Sequence, residues 1–196
     1  MGYCTKKVYY FDKPGEANTG DAIRIGAERA KEPGISTIIV PSTSGKTART
    51  AYEELRETSL NLIIVTHVTG FSKPGVWEFD AKLAEDLRKE GVTIVTGTHV
   101  MSGLERAFSS SPKVGGGSRS EAVAEALRRI IAIGLKVAVE CTLIAADQGA
   151  IGVTDEVIAL GGTASGVDTV CVIRPSHTQR FFDLQVREIV AMPRDR

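Results

Sequence analysis

Residues 36–67 read STIIVPSTSGKTARTAYEELRETSLNLIIVTH, and this stretch decides the fold. Thr37-Ile-Ile-Val40 is a short, continuously apolar run, the signature of a strand buried on both faces rather than of one with a wet side. From Lys46 to Glu57, residues Ala48, Ala51, Tyr52 and Leu55 recur on one face of a helix. Leu62-Ile-Ile-Val-Thr66 is a second strand of the first kind. Strand, amphipathic helix and strand in succession imply a parallel pair joined by a right-handed crossover.

The alternation continues on either side. Before the stretch come a short strand at 7–11 and a helix at 19–31, stopped by Pro33-Gly34. After it come a helix at 79–89, with Phe79, Leu83 and Leu87 at fourfold spacing, and the strand Val92-Thr-Ile-Val-Thr96. A helix at 120–133 is expected to turn Val123, Leu127, Ile130 and Ile131 inward. The apolar run 135–148 fits neither period cleanly and is read as a helix because it is long for a strand. Strands at 157–160, 169–173 and 187–192 close the chain. The last two have no helix between them, so one C-terminal edge is expected to be antiparallel. The predicted architecture is a single-domain, three-layer α/β sandwich over 1–196 with a mainly parallel sheet. Strands 37–40, 62–66 and 92–96 are expected at its buried centre. The Ser-, Gly- and Pro-rich run 109–119 is read as a mobile loop or lid.

Bulk properties narrow the function. The 196 residues are 42% hydrophobic and 24% charged, with 24 basic and 24 acidic side chains. Zero net charge argues against a general nucleic-acid binder, which needs a basic surface. No apolar run approaches the ~20 residues that span a bilayer, and MGYCTKKVYYF lacks a signal-peptide core. A cytoplasmic protein is expected. Cys4, Cys141 and Cys171 show no metal-type spacing, and Cys171 reads as a small buried hydrophobe.

In open parallel sheets, ligands sit beyond the carboxyl ends of the strands. After Val40 comes Pro41-Ser42-Thr43-Ser44-Gly45-Lys46-Thr47, leading into a helix. Helix N-termini offer free amides and a partial positive charge; Gly45 allows close backbone approach, the hydroxyls add donors and Lys46 adds a charge, with Arg49 one turn on. A plain cap at Ser44 is the simpler alternative, but a cap needs one hydroxyl. The run is not a Walker A loop, because Val40 stands where the first glycine is required. It resembles locally the FMN-phosphate loop of flavodoxins. After Val65 come Thr66 and His67; after Val95 come Thr96, Gly97, Thr98 and His99. Both histidines are candidates to contact a ring, a ribityl chain or a sugar, the alternative being a capping or loop role for each. After Leu160 come Gly161, Gly162, Thr163 and, further on, Asp168, a candidate acceptor for ligand hydroxyls or a flavin N–H. Arg174 and His177 are further candidates. No metal site is spaced among them.

The 36–67 stretch resembles the C-terminal α/β domain of pyruvate kinases, where a Ser-Gly-basic-Ser/Thr loop grips the phosphate of an allosteric sugar bisphosphate in many members. The resemblance implies phosphate contacts from Ser42, Thr43, Ser44, Gly45, Lys46 and Thr47. Across the whole chain, residues 14–19, 95–99, 161–168 and 182–193 are similar to a family of stand-alone, mainly archaeal proteins of this type with unassigned function.

The expected ligand is a phosphate-bearing small molecule, with FMN the leading candidate. A phosphorylated-sugar sensor, a flavin-dependent enzyme and a purely structural partner domain stay open as alternatives. A homo-oligomer also stays open. These residues hold no eight-stranded catalytic barrel, which takes ~250 residues by itself. Host-enzyme-free protein of this sequence is therefore expected to turn over no phosphoenolpyruvate and ADP above a heat-killed control in a coupled assay.

Overall fold

The computed structural model describes residues 2–195. Seven strands form one sheet: β1 (Tyr9–Phe11), β2 (Thr37–Pro41), β3 (Asn61–Thr66), β4 (Thr93–Thr96), β5 (Val157–Gly161), β6 (Thr169–Arg174) and β7 (Gln185–Pro193). Their spatial order is β1-β7-β6-β5-β2-β3-β4. Strands β5, β2, β3 and β4 run parallel, β6 runs against both of its neighbours, and β1 is parallel to β7. The mainly parallel sheet and the antiparallel pairing at its C-terminal side are as the sequence led us to expect.

Helices cover both faces. The first layer holds α1 (Thr19–Lys31), α2 (Lys46–Leu55) and α3 (Ala81–Lys89); the second holds α5 (Arg119–Ile130) and α6 (Ile133–Asp147), preceded by the short α4 (Gly103–Ser109). Continuous apolar strands are what such a sandwich requires. In β2, Ile38 and Val40 enter the core under α1 and α2, while Ile39 enters the core under α6. In β5, Ile158 and Leu160 face the first core, and Val157 and Ala159 the second.

Helix α6 explains its own ambiguous pattern. Residues from 134 to 146 are buried with the single exception of Val137, so no polar face exists to reveal a 3.6-residue period. It lies across β5 and β6 beneath α5.

Several expectations are corrected. Strand β4 is an edge strand, not a central one: it pairs with β3 alone, Thr93 is exposed and only Val95 is buried. Its flanking threonines are compatible with one open side. In α5, Leu127 packs inward as expected, as does Ile131 just past the helix end, but Val123 and Ile130 are exposed at 38% and 74%, and the buried contact is made by Ala124. The helix stops at Ile130, and Ile131 and Ala132 turn the chain into α6 while still packing on the second core. Helix α4, which we did not anticipate, lies just after the β4 loop. Asp80 caps α3 by accepting from the Leu83 amide at 3.0 Å, which starts that helix two residues later than expected. Among the described residues no helix is long and apolar enough to cross a membrane.

The chain runs from β2 outward through β3 to β4, then returns to β5 on the other side of β2. The crevice at the carboxyl ends of β2 and β5 is thus the topological switch point of the sheet. Its floor depends on close backbone approach. A Cβ at Gly161, the last residue of β5, would stand 1.9 Å from the Gly134 carbonyl oxygen at the start of α6. Gly161→Ala is therefore expected to destabilise the fold by at least about 2 kcal/mol, since overpacking costs ~1–3 kcal/mol and here the obstacle is backbone. Gly152→Ala, where a Cβ meets open space without a positive φ, is expected to stay within about 1 kcal/mol of the parent. Chemical denaturation of both variants checks this.

Candidate functional site

A cleft of about 360 Å³ opens at this switch point. One wall is the turn after β2. Gly45 takes the left-handed conformation, φ 104°, that ends the turn and starts α2. A Cβ there would stand 2.6 Å from Leu83 Cδ2 and 3.5 Å from the Phe79 ring. Glycine at 45 is thus explained by its backbone angle and by packing against α3, and it does not line the cleft. Ser42 is buried, and its Oγ accepts from the amides of Gly45 and Ala48, each at 3.2 Å. The capping role weighed for Ser44 as the simpler alternative falls instead to Ser42.

The rest of the turn faces the cleft. Among the described residues, the amides of Ser44, Lys46 and Thr47 and the hydroxyls of Ser44 and Thr47 enter no hydrogen bond within the chain. Lys46 is exposed and ion-paired with Glu16. The hydrogen bond from Lys46, with a second from Ser165 Oγ at 2.9 Å, holds the Glu16 carboxyl below its ordinary range. Ala164, on the rim, has φ 63°, the one non-glycine with a left-handed backbone among the described residues.

The opposite wall is aromatic. His67 Nε2 lies 3.3 Å from Thr43 Oγ1, and its Nδ1 lies 3.1 Å from Glu78 Oε2. Its ring centroid is 4.2 Å from that of Phe71 and 5.1 Å from that of His99; Phe71 and His99 stack at 4.9 Å. Thr66 is committed to the scaffold: its Oγ1 accepts from Trp77 Nε1 at 3.0 Å and lies 2.8 Å from Thr96 Oγ1.

The floor comes from α6. Lys136 and Glu140 are each 4% exposed and ion-paired one turn apart. Glu140 Oε1 accepts from the Met101 amide at 3.0 Å, and Oε2 lies 3.6 Å from His99 Nδ1. Burial pushes the Glu140 carboxyl up, but His99, Lys136 and the Met101 amide together outweigh it and hold it at about 2. Arg106 and Arg128 complete the lining, engaged with Glu121 at 2.8 Å and Glu125 at 3.3 Å.

Ser42, Thr43, Ser44, Lys46, Thr47, Thr66, His67, His99 and Gly162 are thus brought together around one cleft. Others are not. Gly161 and Gly97 are buried where strand ends meet α6, Gly97 because a Cβ would stand 2.7 Å from Ile144 Cγ2. Thr98 faces solvent beside α4, and the Thr163 amide donates to Asp168. Asp168 is fully buried; its carboxylate accepts from the amides of Gly15 at 2.9 Å and Thr163 at 3.2 Å and from Thr169 Oγ1 at 2.9 Å. That carboxylate is used up in tying the 162–168 turn to the N-terminal segment, so the expectation of a ligand acceptor is corrected. Arg174 and His177 are placed at the far end of the molecule, because β6 is reversed and its carboxyl end points away from the cleft.

The model of the pyruvate kinase alpha/beta domain matches residues 21–173. The chain belongs to that family. The match runs from α1 to the end of β6 and so includes the whole cleft. The chain is also similar to the crystal structure of a pyruvate kinase from Cryptosporidium parvum, at 15% identity and a TM-score of 0.39, over 79% of this chain and 22% of that one. This family member therefore spans about a fifth of that enzyme's length.

Sequence reading missed Phe71, Glu78, Arg106, Arg128, Lys136 and Glu140. A signal existed for two of them: Lys136 and Glu140 stand four apart inside an otherwise apolar helix, a spacing that puts both on one face. The depressed Glu140 carboxyl gives a pH dependence. A carboxyl with a lowered folded-state pKa contributes stability that is full above its ordinary value near 4.5 and is lost as pH falls toward about 2. Glu140→Gln is expected to be less stable than the parent at neutral pH, by on the order of 2–3 kcal/mol. The gap should close between pH 4.5 and 2, measured by denaturant titration across that range.

Proposed function

We propose that this chain binds a phosphate-bearing small molecule, FMN foremost, with the phosphate on the amides of Ser44, Lys46 and Thr47. The observation that carries this reading is the set of uncommitted donors at the start of α2, facing a cleft at the switch point of the sheet. Such amides, aligned with a helix dipole, are a ready anion site. The volume, about 360 Å³, falls within the usual range for small-molecule sites.

The residues present fit FMN in kind. The hydroxyls of Ser44 and Thr47 add donors for phosphate, and the rings of His67, Phe71 and His99 offer stacking surface for a planar group. Bound FMN would supply electron-transfer chemistry. A second reading, a sensor of a sugar bisphosphate, is favoured by Arg106 and Arg128, which line the same cleft and could meet a second anionic group.

Gly45→Asp is a poor test, since any side chain there collides with Leu83. Ser44→Asp is better: position 44 is exposed, and a carboxylate beside the N-terminus of α2 favours the helix while repelling phosphate. Calorimetric titration with FMN and with a sugar bisphosphate is expected to give at least about hundredfold weaker binding in Ser44→Asp. Lys46→Ala should weaken binding about tenfold. Glu16→Gln should tighten it by a few-fold, because the competing carboxylate is gone. Unchanged affinity in Ser44→Asp places the phosphate elsewhere.

A further inference from the structure

Apart from its last residue, Asp147, α6 carries just two charged side chains, Lys136 and Glu140, and both are buried. Packing does not account for them, since replacing a buried ion pair by apolar side chains of similar volume is often neutral or stabilising. The third member of the group is His99. Glu140 is anchored by the Met101 amide, two residues beyond His99, and its other oxygen faces His99 Nδ1 at 3.6 Å. The second ring nitrogen of His99, Nε2, is buried and has no hydrogen-bond partner. A buried polar atom without a partner is costly unless something else meets it. Phe71 stacks on the His99 ring and is itself 45% exposed, on the irregular segment between β3 and α3. The ring is therefore covered from the Phe71 side by a side chain that can move away without opening the core.

We propose that His99 is an acid–base residue of the cleft, with Glu140 as its positioning residue. The Glu140 carboxylate 3.6 Å from Nδ1 favours the ring proton on that side, so the lone pair on Nε2 is left to receive a proton from an N–H or O–H group of a bound, phosphate-bearing ligand. The X–H bond breaks, its electron pair stays on X, and the imidazolium formed is held by the Glu140 carboxylate. The reverse transfer restores the starting state without a further reactant. Few charged groups compete for His99. Glu140 and Lys136 face it from α6, His67 faces it from the end of β3 with Glu78 behind, and Arg106 and Arg128 line the same cleft in ion pairs of their own. The inference rests on the phosphate reading above, because the loop would hold the ligand whose proton His99 exchanges.

Nitrogen labelling of the full chain, histidine-selective for the ring signals and uniform for the backbone amides, tests it by NMR. The chain has three histidines, so His67→Asn and His177→Asn assign the signals. In ligand-free protein, His99 is expected to carry its ring proton on Nδ1. Glu140→Gln should shift part of the population to the Nε2–H form. Lys136→Met combined with Glu140→Met, which removes the carboxylate without leaving a buried charge, should do the same. FMN is expected to move the Nε2 resonance, whereas inorganic phosphate should move the backbone amides of 44, 46 and 47 alone. A ring proton on Nε2 in the ligand-free parent, or an Nε2 signal unmoved by FMN that does perturb those amides, overturns the proposal and leaves the phosphate reading standing. If FMN, a sugar bisphosphate and inorganic phosphate all leave both sets of signals unmoved, both readings fall.

Discussion

The parallel pairing of β2 with β5 is the constraint on which the rest depends. The two strands are far apart in the chain and meet through Ile38 with Ile158 and Ile39 with Ala159, all fully buried. Because the chain leaves β2 toward β3 and comes back to β5 from the other side, the loops after the two strands diverge and leave a crevice between them. The same pairing brings the α2 N-terminus, the Gly162 turn and the α6 surface to one place. Gly161 makes that convergence possible by letting the end of β5 touch the backbone of α6.

Electrostatics at the mouth of the cleft are finely balanced. The Lys46–Glu16 pair is exposed on both sides, and such solvent-screened pairs are weak. Charge-assisted hydrogen bonds from backbone amides to a phosphate are stronger, about 1.5–3 kcal/mol each. Under the proposed phosphate reading, Glu16 would therefore tune anion binding and not prevent it. The buried Lys136–Glu140 pair belongs to a different regime, in which removing one partner strands the other in a dry interior.

Much of this was legible in the sequence, for reasons specific to each element. The run 36–67 could be read because β2 and β3 are wholly apolar and α2 has a clean buried face of Ala48, Ala51 and Leu55. Cleft-lining Ser44, Lys46, Thr47, His67 and His99 could be found because strand-end loops gather at one edge of a parallel sheet. The same rule misplaced Arg174 and His177, because it holds for parallel strands alone: the helix-free connection from β5 to β6 is too short for a crossover, so β6 runs back and its carboxyl end leaves the cleft. The roles given to Gly45 and Asp168 failed because tertiary packing, against Leu83 for one and around the 162–168 turn for the other, is invisible in a linear pattern. Edge placement of β4 was hidden for the same reason: its partner on the missing side is decided by where the chain turns back. The carboxylate and ammonium of α6 were passed over because the helix was read for its period and not for its exceptions.

Whether the cleft holds a phosphorylated small molecule is decided by mass spectrometry of compounds retained by the purified chain after exposure to a cell extract and desalting. One phosphate-bearing compound at about one per chain is expected, FMN with its yellow absorbance foremost, together with its loss in Ser44→Asp. A chain that retains no phosphorylated compound beyond the level of Ser44→Asp would contradict the phosphate reading.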